Sequence, residues 1–206
     1  MLLRCCWGDS YHPGAAAMTR RLATLLELAP GQWVADVASG PGVTARLLAA
    51  EYGVTVDGVD IAEPVIQRAQ EAAASTRLAG AVRFHLGDSE ALPFPDSSFD
   101  AVVTECSYCT FPDNAAAAAE FARMLRSGGR LGLADVTTAD TRLPGELTTV
   151  SAWVAYIADA SPITRYIGIL TDARVDADAA LGYIDVARRA VADGIVGYAL
   201  VVAARP

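Results

Sequence analysis

Positive charge is scarce in this sequence. Its 16 basic residues are outnumbered by 24 acidic ones, which gives a formal net charge of −8. A chain this acidic is repelled by phosphate backbones, so we expect no nucleic-acid partner. Long hydrophobic runs are also missing, since the most apolar stretch, residues 194–204, has about half of the ~20 residues that a spanning helix needs. The sequence therefore predicts no membrane span.

Cysteine is rare as well, with four residues in 206. They form two pairs, Cys5–Cys6 and Cys106–Cys109, and neither spacing resembles a disulfide framework. Residues 1–14 lack the long apolar run and the small-residue cleavage site of a secretory signal. We therefore expect reduced thiols and a cytoplasmic location.

Hydrophobic residues make up 53% of the chain, enough to bury a full core in one domain of this length. Short apolar segments alternate with helical patterns, which predicts a parallel sheet covered on both faces. The predicted strands cover 32–38, 54–60, 81–88, 99–105, 130–136 and 194–204. The predicted helices cover 14–29, 43–52, 63–78, 112–126, 146–160 and 176–192. The expected fold is an open, doubly wound α/β sheet.

A glycine-bearing loop, DVASGPG over residues 36–42, follows the first predicted strand. Gly40 and Gly42 allow a tight turn and a close approach to a ligand beside the positive start of the next helix, although an ordinary strand-to-helix turn has the same residues. Asp60 ends the second strand, where a carboxylate suits a ribose diol or, alternatively, caps the next helix. Loop and acid together indicate an adenosine ligand. The spacing Gly40-x-Gly42-x-x-Ala45 also fits a nicotinamide oxidoreductase.

Two further segments separate these classes. GDSEALPFPDSSFD, residues 87–100, places Asp88 and Ser89 where an adenine edge would lie, and LRSGGRLGLAD, residues 125–135, turns a helix into the fifth strand. Neither belongs to the dinucleotide fingerprint. The four ordered motifs resemble class I S-adenosylmethionine-dependent methyltransferases, nearest to the group that includes ubiquinone, menaquinone and arsenite methyltransferases. The match covers about residues 32–136, with Ala38 standing where the family usually has glycine.

The resemblance implies a Rossmann-like, mostly parallel sheet that ends in an antiparallel hairpin, with residues 194–204 as the last strand and a weak partner near 173–176. It divides a single domain, residues 1–206, into an N-terminal lid helix (1–30), a cofactor-binding core (31–136) and C-terminal helices with the last strand (137–206). It implies S-adenosylmethionine as the cofactor. It assigns cofactor contacts to ten residues: Tyr11, Asp36, Ser39, Gly40, Gly42, Asp60, Ile61, Asp88, Ser89 and Glu105.

Four residues are candidates for the chemistry: Glu105, Cys106, Cys109 and His12. The resemblance places Glu105 next to the transferred methyl group. Cys106 and Cys109 follow the same strand, where two thiolates could share a soft ion, although buried core cysteines are the commoner case. Arsenite methyltransferases carry a cysteine that Cys106 matches, but Ser39 stands where another is often found. His12 is either a base near neutral pH or a hydrogen-bonding residue at a helix entry.

The resulting hypothesis is an S-adenosylmethionine-dependent methyltransferase that acts on a small-molecule acceptor by in-line transfer, with no resident metal. One alternative is methylation of a thiophilic metalloid or thiol held by Cys106 and Cys109. Another is a non-catalytic protein that binds S-adenosylmethionine. The oxidoreductase interpretation ranks last. The oligomeric state stays open, with a homodimer as one option.

Overall fold

The computed structural model describes residues 15–78, 80–139, 160–181 and 196–206. Tyr11, His12 and most of the helix predicted over 146–160 lie outside the described residues. The strands are β1 (Trp33–Val37), β2 (Thr55–Asp60), β3 (Val82–Leu86), β4 (Phe99–Glu105), β5 (Leu125–Thr138), β6 (Ser161–Pro162), β7 (Asp176–Leu181) and β8 (Val196–Ala204). The helices are α1 (Ala15–Leu25), α2 (Val43–Tyr52), α3 (Glu63–Ala74), α4 (Asn114–Met124) and α5 (Ile163–Asp172).

The strands form one twisted sheet in the order β3-β2-β1-β4-β5-β8-β7, with β6 paired to β5. The first five strands are parallel, and β8 runs antiparallel between β5 and β7. The strand order reverses between β1 and β4, where open α/β sheets bind their ligands. The predicted Rossmann-like sheet and its antiparallel last strand are confirmed.

Alternate residues of each strand face two separate cores, as the period of a strand requires. A first core cluster packs α1, α2 and α3 on one face, and Val34 of β1 belongs to it. A second core cluster packs α4 and α5 on the other face and includes the next residue, Ala35. Both residues are fully buried, so β1 is covered on both sides by helices or loops. This burial explains its continuous apolar sequence.

One expectation about the C-terminal part was wrong. Residues 176–181, expected in a helix, form β7 and pair with β8 from Asp176↔Ala204 to Leu181↔Ala199. The alanines favour a helix in isolation, but the alternation of Asp and Ala over 176–179 has the period of a strand. The helix α5 was not predicted.

The glycine pair at 128–129 does not end a helix as expected. Helix α4 ends at Met124, and Leu125 already pairs with Phe99 of β4. The next partners are Ala101 and Arg130, so residues 126–129 form an irregular excursion within β5. Gly128 adopts a φ of 76° there, a conformation that glycine tolerates without steric cost.

Candidate active site

A cavity of about 320 Å³ opens at the carboxyl ends of β1, β2 and β4. Six of the predicted site residues line it: Asp36, Ser39, Gly40, Asp60, Glu105 and Cys106. These residues come from three strand ends, and the parallel sheet brings them together because all its carboxyl ends share one edge. Gly42, Ile61, Asp88, Ser89 and Cys109 are not among the lining residues.

The loop between β1 and α2 turns through a series of left-handed residues. Ala38, Gly40 and Gly42 have φ angles of 58°, 53° and 72°. Gly42 is also packed so closely that an alanine Cβ would overlap the Phe84 ring, with Cε1 only 2.5 Å away. Glycine is therefore favoured at position 42 on two counts, its left-handed backbone and its close packing. Ala38 occupies a conformation that glycine would adopt more easily.

Asp60 connects this loop to the neighbouring strand end. Its Oδ2 accepts a hydrogen bond from Gly40 N at 2.9 Å, and its Oδ1 accepts one from Ala62 N at 2.9 Å. The N-cap of α3 is Ala62 and not Asp60, and the helix has no side-chain cap, so the alternative that Asp60 caps this helix is wrong. An ionised carboxylate has about four lone-pair sites, so two acceptor positions remain for a ligand diol.

Asp36 is a buried acid with an incomplete hydrogen-bond shell. It is 2% exposed, and its Oδ2 has no hydrogen-bond partner among the described residues. Burial, and next the nearby charge of Glu105, raise the pKa of Asp36 well above its ordinary value, although a backbone hydrogen bond from Ala45 opposes this. The Ser39 hydroxyl is likewise buried without a partner in the described part of the chain. The cavity wall therefore presents two polar groups that a ligand donor would satisfy.

Glu105 joins three elements at the floor of the cavity. Its carboxylate accepts hydrogen bonds from Thr19 Oγ1 of α1 at 3.0 Å and from Thr44 Oγ1 of α2 at 2.6 Å. Glu105 is only 8% exposed. The sequence motifs did not reveal the two threonines, because a hydroxyl within a helical pattern gives no signal of the carboxylate it will meet.

The predicted adenine-side residues lie at the neighbouring ends of β2 and β3. Asp60 pairs with Leu86, so Ile61 and Leu86 are close to one another at this edge, and they are exposed by 72% and 54%. Asp88 is exposed, and its Oδ1 accepts a hydrogen bond from Glu90 N at 3.0 Å. Ser89 is half-buried. Exposed apolar and acidic groups thus stand side by side, outside the cavity lining.

Of the two cysteines, only Cys106 is among the cavity-lining residues, which gives no support to the hypothesis of a soft ion shared by both thiols. Cys106 lines the cavity and belongs to the first core cluster. Cys109 is buried in the second core cluster, where its backbone N–H donates to Asp135 Oδ2 at 2.9 Å. The chain turns sharply between them, because Cys106 has a φ of 52° and a 3-10 turn follows over Tyr108–Thr110.

Residues 35–133 match a family model described as a methyltransferase domain. Nocamycin O-methyltransferase of Saccharothrix syringae is 43% identical over 118 residues, which cover 56% of this chain and 42% of that protein. The 27-O-demethylrifamycin SV methyltransferase of Amycolatopsis mediterranei is 34% identical over 141 residues, covering 63% of this chain and 52% of that protein. A structure of phosphoethanolamine N-methyltransferase 2 of Haemonchus contortus in complex with S-adenosyl-L-methionine has a TM-score of 0.86 at 17% identity, covering 99% of this chain and 56% of that one.

The chain spans about half the length of the curated relatives it matches. The structural likeness, at 17% identity, shows the fold. The finer resemblance to ubiquinone, menaquinone and arsenite methyltransferases stays a prediction. No helix in the described ranges is long and apolar enough to cross a membrane.

Proposed function

We propose that this chain, whose residues 35–133 match the methyltransferase-domain family model, transfers a methyl group from S-adenosylmethionine to a small molecule. The observation that carries the proposal is the cavity at the strand ends, where Asp36 and Asp60 flank a left-handed glycine loop. The names of the two curated relatives support an oxygen atom as the acceptor, since one is named an O-methyltransferase and the other a 27-O-demethylrifamycin SV methyltransferase.

The residues present fit this cofactor. Asp36 Oδ2 and Ser39 Oγ are buried acceptors that lack a partner among the described residues, and an ammonium or hydroxyl donor would satisfy them. Asp60 has acceptor capacity left beyond its bonds to Gly40 and Ala62, as a ribose diol requires. Ile61 supplies an exposed apolar surface next to it, suited to an adenine ring. We place the methionine end near Asp36 and the adenosine end near Asp60.

When bound, the cofactor would supply an electrophilic methyl group on a cationic sulfur, with that sulfur as the leaving group. The protein's part is to align the acceptor and to take its proton. Among the described residues, Glu105 is the candidate base that would accept this proton, because it lines the cavity and its carboxylate is oriented by Thr19 and Thr44. His12, outside the described residues, stays a proposed alternative base. Cys106 lines the same cavity and stays a candidate for contact with the acceptor.

The other hypotheses receive less support. Metalloid capture by Cys106 and Cys109 needs both thiols at one ion, and the two belong to different core clusters. The matched family is a methyltransferase domain, which disfavours a nicotinamide oxidoreductase. The charge of −8 supports a small molecule rather than a nucleic acid as the partner. A cytoplasmic location and a homodimer stay proposals, which cell fractionation and size-exclusion chromatography would test.

Calorimetry with S-adenosylmethionine, S-adenosylhomocysteine and NAD tests the cofactor. We expect micromolar binding of the first two and no comparable binding of NAD. Asp60→Ala should weaken binding by about 1.5–3 kcal/mol, the scale of hydrogen bonds to a charged group. The matched control is Asp113→Ala, because Asp113 is an exposed carboxylate that also accepts two backbone N–H groups, at the start of α4.

The ribose assignment needs a separate ligand, since Asp60 also anchors Gly40. A 2′-deoxy analogue of S-adenosylhomocysteine should bind the wild type more weakly than the parent compound, and Asp60→Ala should bind the two alike. Equal discrimination in both proteins would contradict the contact to the ribose. Tighter binding of NAD than of S-adenosylmethionine would overturn the cofactor class.

Turnover is tested by release of labelled methyl groups to a panel of oxygen, nitrogen, carbon and sulfur nucleophiles plus arsenite. Transfer to a hydroxyl compound is the expected result. A blank panel with cofactor affinity intact would favour the non-catalytic interpretation instead.

A further inference from the structure

Asp135 is a buried acid that the proposed reaction does not use. It lies in β5, one residue beyond the pair Glu105↔Ala134, and is 0% exposed. Its side chain is on the second-cluster side of the sheet, since the Cys109 N–H donates to Oδ2 at 2.9 Å. Asp135 is not among the residues that line the cavity. A carboxylate buried this completely needs compensating contacts.

Those contacts come mostly from the 3-10 turn Tyr108–Thr110. Besides the backbone of Cys109, the Cys109 thiol donates to the Asp135 carboxylate. The remaining backbone donor is Val136 N, 2.7 Å from Oδ1. One carboxylate therefore binds both the backbone N–H and the side chain of the central residue of this turn. Such a shell fixes the turn against β5 in one orientation.

Hydrogen bonds also join the turn to the cavity wall. Thr110 donates to the Ser107 carbonyl from both its Oγ1, at 2.7 Å, and its N–H, at 2.9 Å. Ser107 and Cys106 line the cavity, and Cys106 adopts a φ of 52°. A left-handed non-glycine residue persists only where its surroundings determine it. The contacts of the turn, with the bond from Cys106 N to Ala134 O at 2.7 Å, supply that constraint.

We propose that Asp135 is a positioning residue for methyl transfer: by holding the turn 108–110 it fixes the stretch of cavity wall formed by Cys106 and Ser107. The inference rests on the proposed function. Most of the residues assigned to the cofactor, among them Asp36, Ser39 and Asp60, stand on other elements. Loss of the Asp135 contacts should therefore disturb alignment of the acceptor more than binding of the cofactor.

Asp135→Asn is the principal variant. An amide keeps one acceptor oxygen but presents N–H donors to a backbone N–H, so the shell around position 135 cannot be completed. We expect kcat to fall about 10- to 100-fold, the scale of an ångström-size misplacement, with KM for S-adenosylmethionine nearly unchanged. Leu131→Ala is the matched control, because Leu131 is a fully buried residue of the same strand and core cluster. It should lower the melting temperature and leave kcat nearly unchanged.

A second readout does not depend on turnover. Cys109 is 5% exposed, so its alkylation by iodoacetamide, followed by peptide mass spectrometry, reports release of the turn. Asp135→Asn should raise that rate well below the melting temperature, and Leu131→Ala should not. An unchanged rate, or a loss of kcat equal in the two variants, would overturn the proposal. If the wild type transfers methyl groups to no acceptor, the proposed function fails, and the alkylation rate alone decides whether Asp135 holds the turn.

Thr110→Ala keeps the test decisive if Asp135→Asn does not fold. Thr110 is half-buried, and its hydroxyl contributes one bond to Ser107. Removing it should lower kcat about twofold to tenfold, the scale of one neutral hydrogen bond, at a nearly unchanged melting temperature. An unchanged kcat in this variant would contradict the connection from the turn to the cavity wall.

Discussion

Gly42 offers a sharp test of the loop geometry, because it can be compared with Gly40. Both residues are left-handed, with φ angles of 72° and 53°. At Gly40 an added Cβ would meet nothing within 4 Å, whereas at Gly42 it would overlap the Phe84 ring, with Cε1 at 2.5 Å. Gly40→Ala therefore measures backbone strain alone. Gly42→Ala measures the same strain together with a steric clash.

The expected magnitudes follow from these two terms. A left-handed alanine costs ~1–2 kcal/mol, and the stiffer unfolded chain returns about 0.4–1 kcal/mol, so Gly40→Ala should lower the free energy of unfolding by about 1 kcal/mol. Overpacking adds ~1–3 kcal/mol at Gly42, for a total loss of about 2–4 kcal/mol. Domains of this kind have about 5–15 kcal/mol of stability, so both variants should stay folded.

Urea unfolding, followed by circular dichroism, measures both variants, and Phe84→Leu supplies the rescue. Phe84→Leu removes the ring atoms that crowd position 42, so the double variant with Gly42→Ala should lose less stability than the two single losses combined, with a coupling of about 0.5–3 kcal/mol. Calorimetry with S-adenosylhomocysteine should show weaker binding by Gly42→Ala than by Gly40→Ala. Equal stability of Gly40→Ala and Gly42→Ala, or strict additivity with Phe84→Leu, would refute the packing account of this loop.

Two further predictions concern strain and charge near the same site. Ala38→Gly should raise the free energy of unfolding by up to about 1 kcal/mol. At a φ of 58° the backbone strain of alanine is larger than the stability that glycine loses through its more flexible unfolded chain. A lower urea midpoint would contradict this. Burial raises the pKa of Asp135 to about 6 from an ordinary 3.8, so the folded state binds this proton more tightly than the unfolded state. The free energy of unfolding should therefore fall by ~3 kcal/mol as pH rises from about 4 to above 6, and Asp135→Asn should flatten that slope in urea titrations at several pH values; an equal slope in both proteins would disprove the assignment.

The sequence predicted the parallel half of the sheet well because its strands are short apolar runs between strong turn residues. The motifs over 36–42 and at residue 60 supply part of the cavity lining, since parallel strands share one carboxyl edge, whereas no residue of 87–100 or 125–135 is among the lining residues. The C-terminal part was harder. Residues 176–181 contain alanines that favour a helix, although Asp and Ala alternate over 176–179 with the period of a strand. Their pairing with β8, a contact between distant segments, decides between the two.

Side-chain direction after a strand end was the second limit. Cys106 and Cys109 are three residues apart, and their spacing alone suggested one shared site. A single left-handed residue at Cys106 and the 3-10 turn that follows place them in different clusters. Spacing determines a shared face only within a regular helix or strand, where the period is known. Thr19 and Thr44 escaped notice for a related reason, because their common partner, Glu105, is 61 residues or more away in the chain.

Asp36 and Asp135 have similar sequence contexts, but their hydrogen bonds give them different roles, ligand binding and positioning of a turn. Each is an aspartate at the carboxyl end of a parallel strand, each is almost fully buried, and burial raises the pKa of both. Asp135 is surrounded by backbone N–H groups and a thiol from its own chain, so its carboxylate is already satisfied and serves to orient the turn that it binds. Asp36 accepts from Ala45 yet keeps a buried oxygen without a partner in the described part of the chain. An unsatisfied buried acceptor costs free energy until a donor arrives. We therefore expect a ligand of this cavity to donate to Asp36, whereas Asp135 positions the turn 108–110.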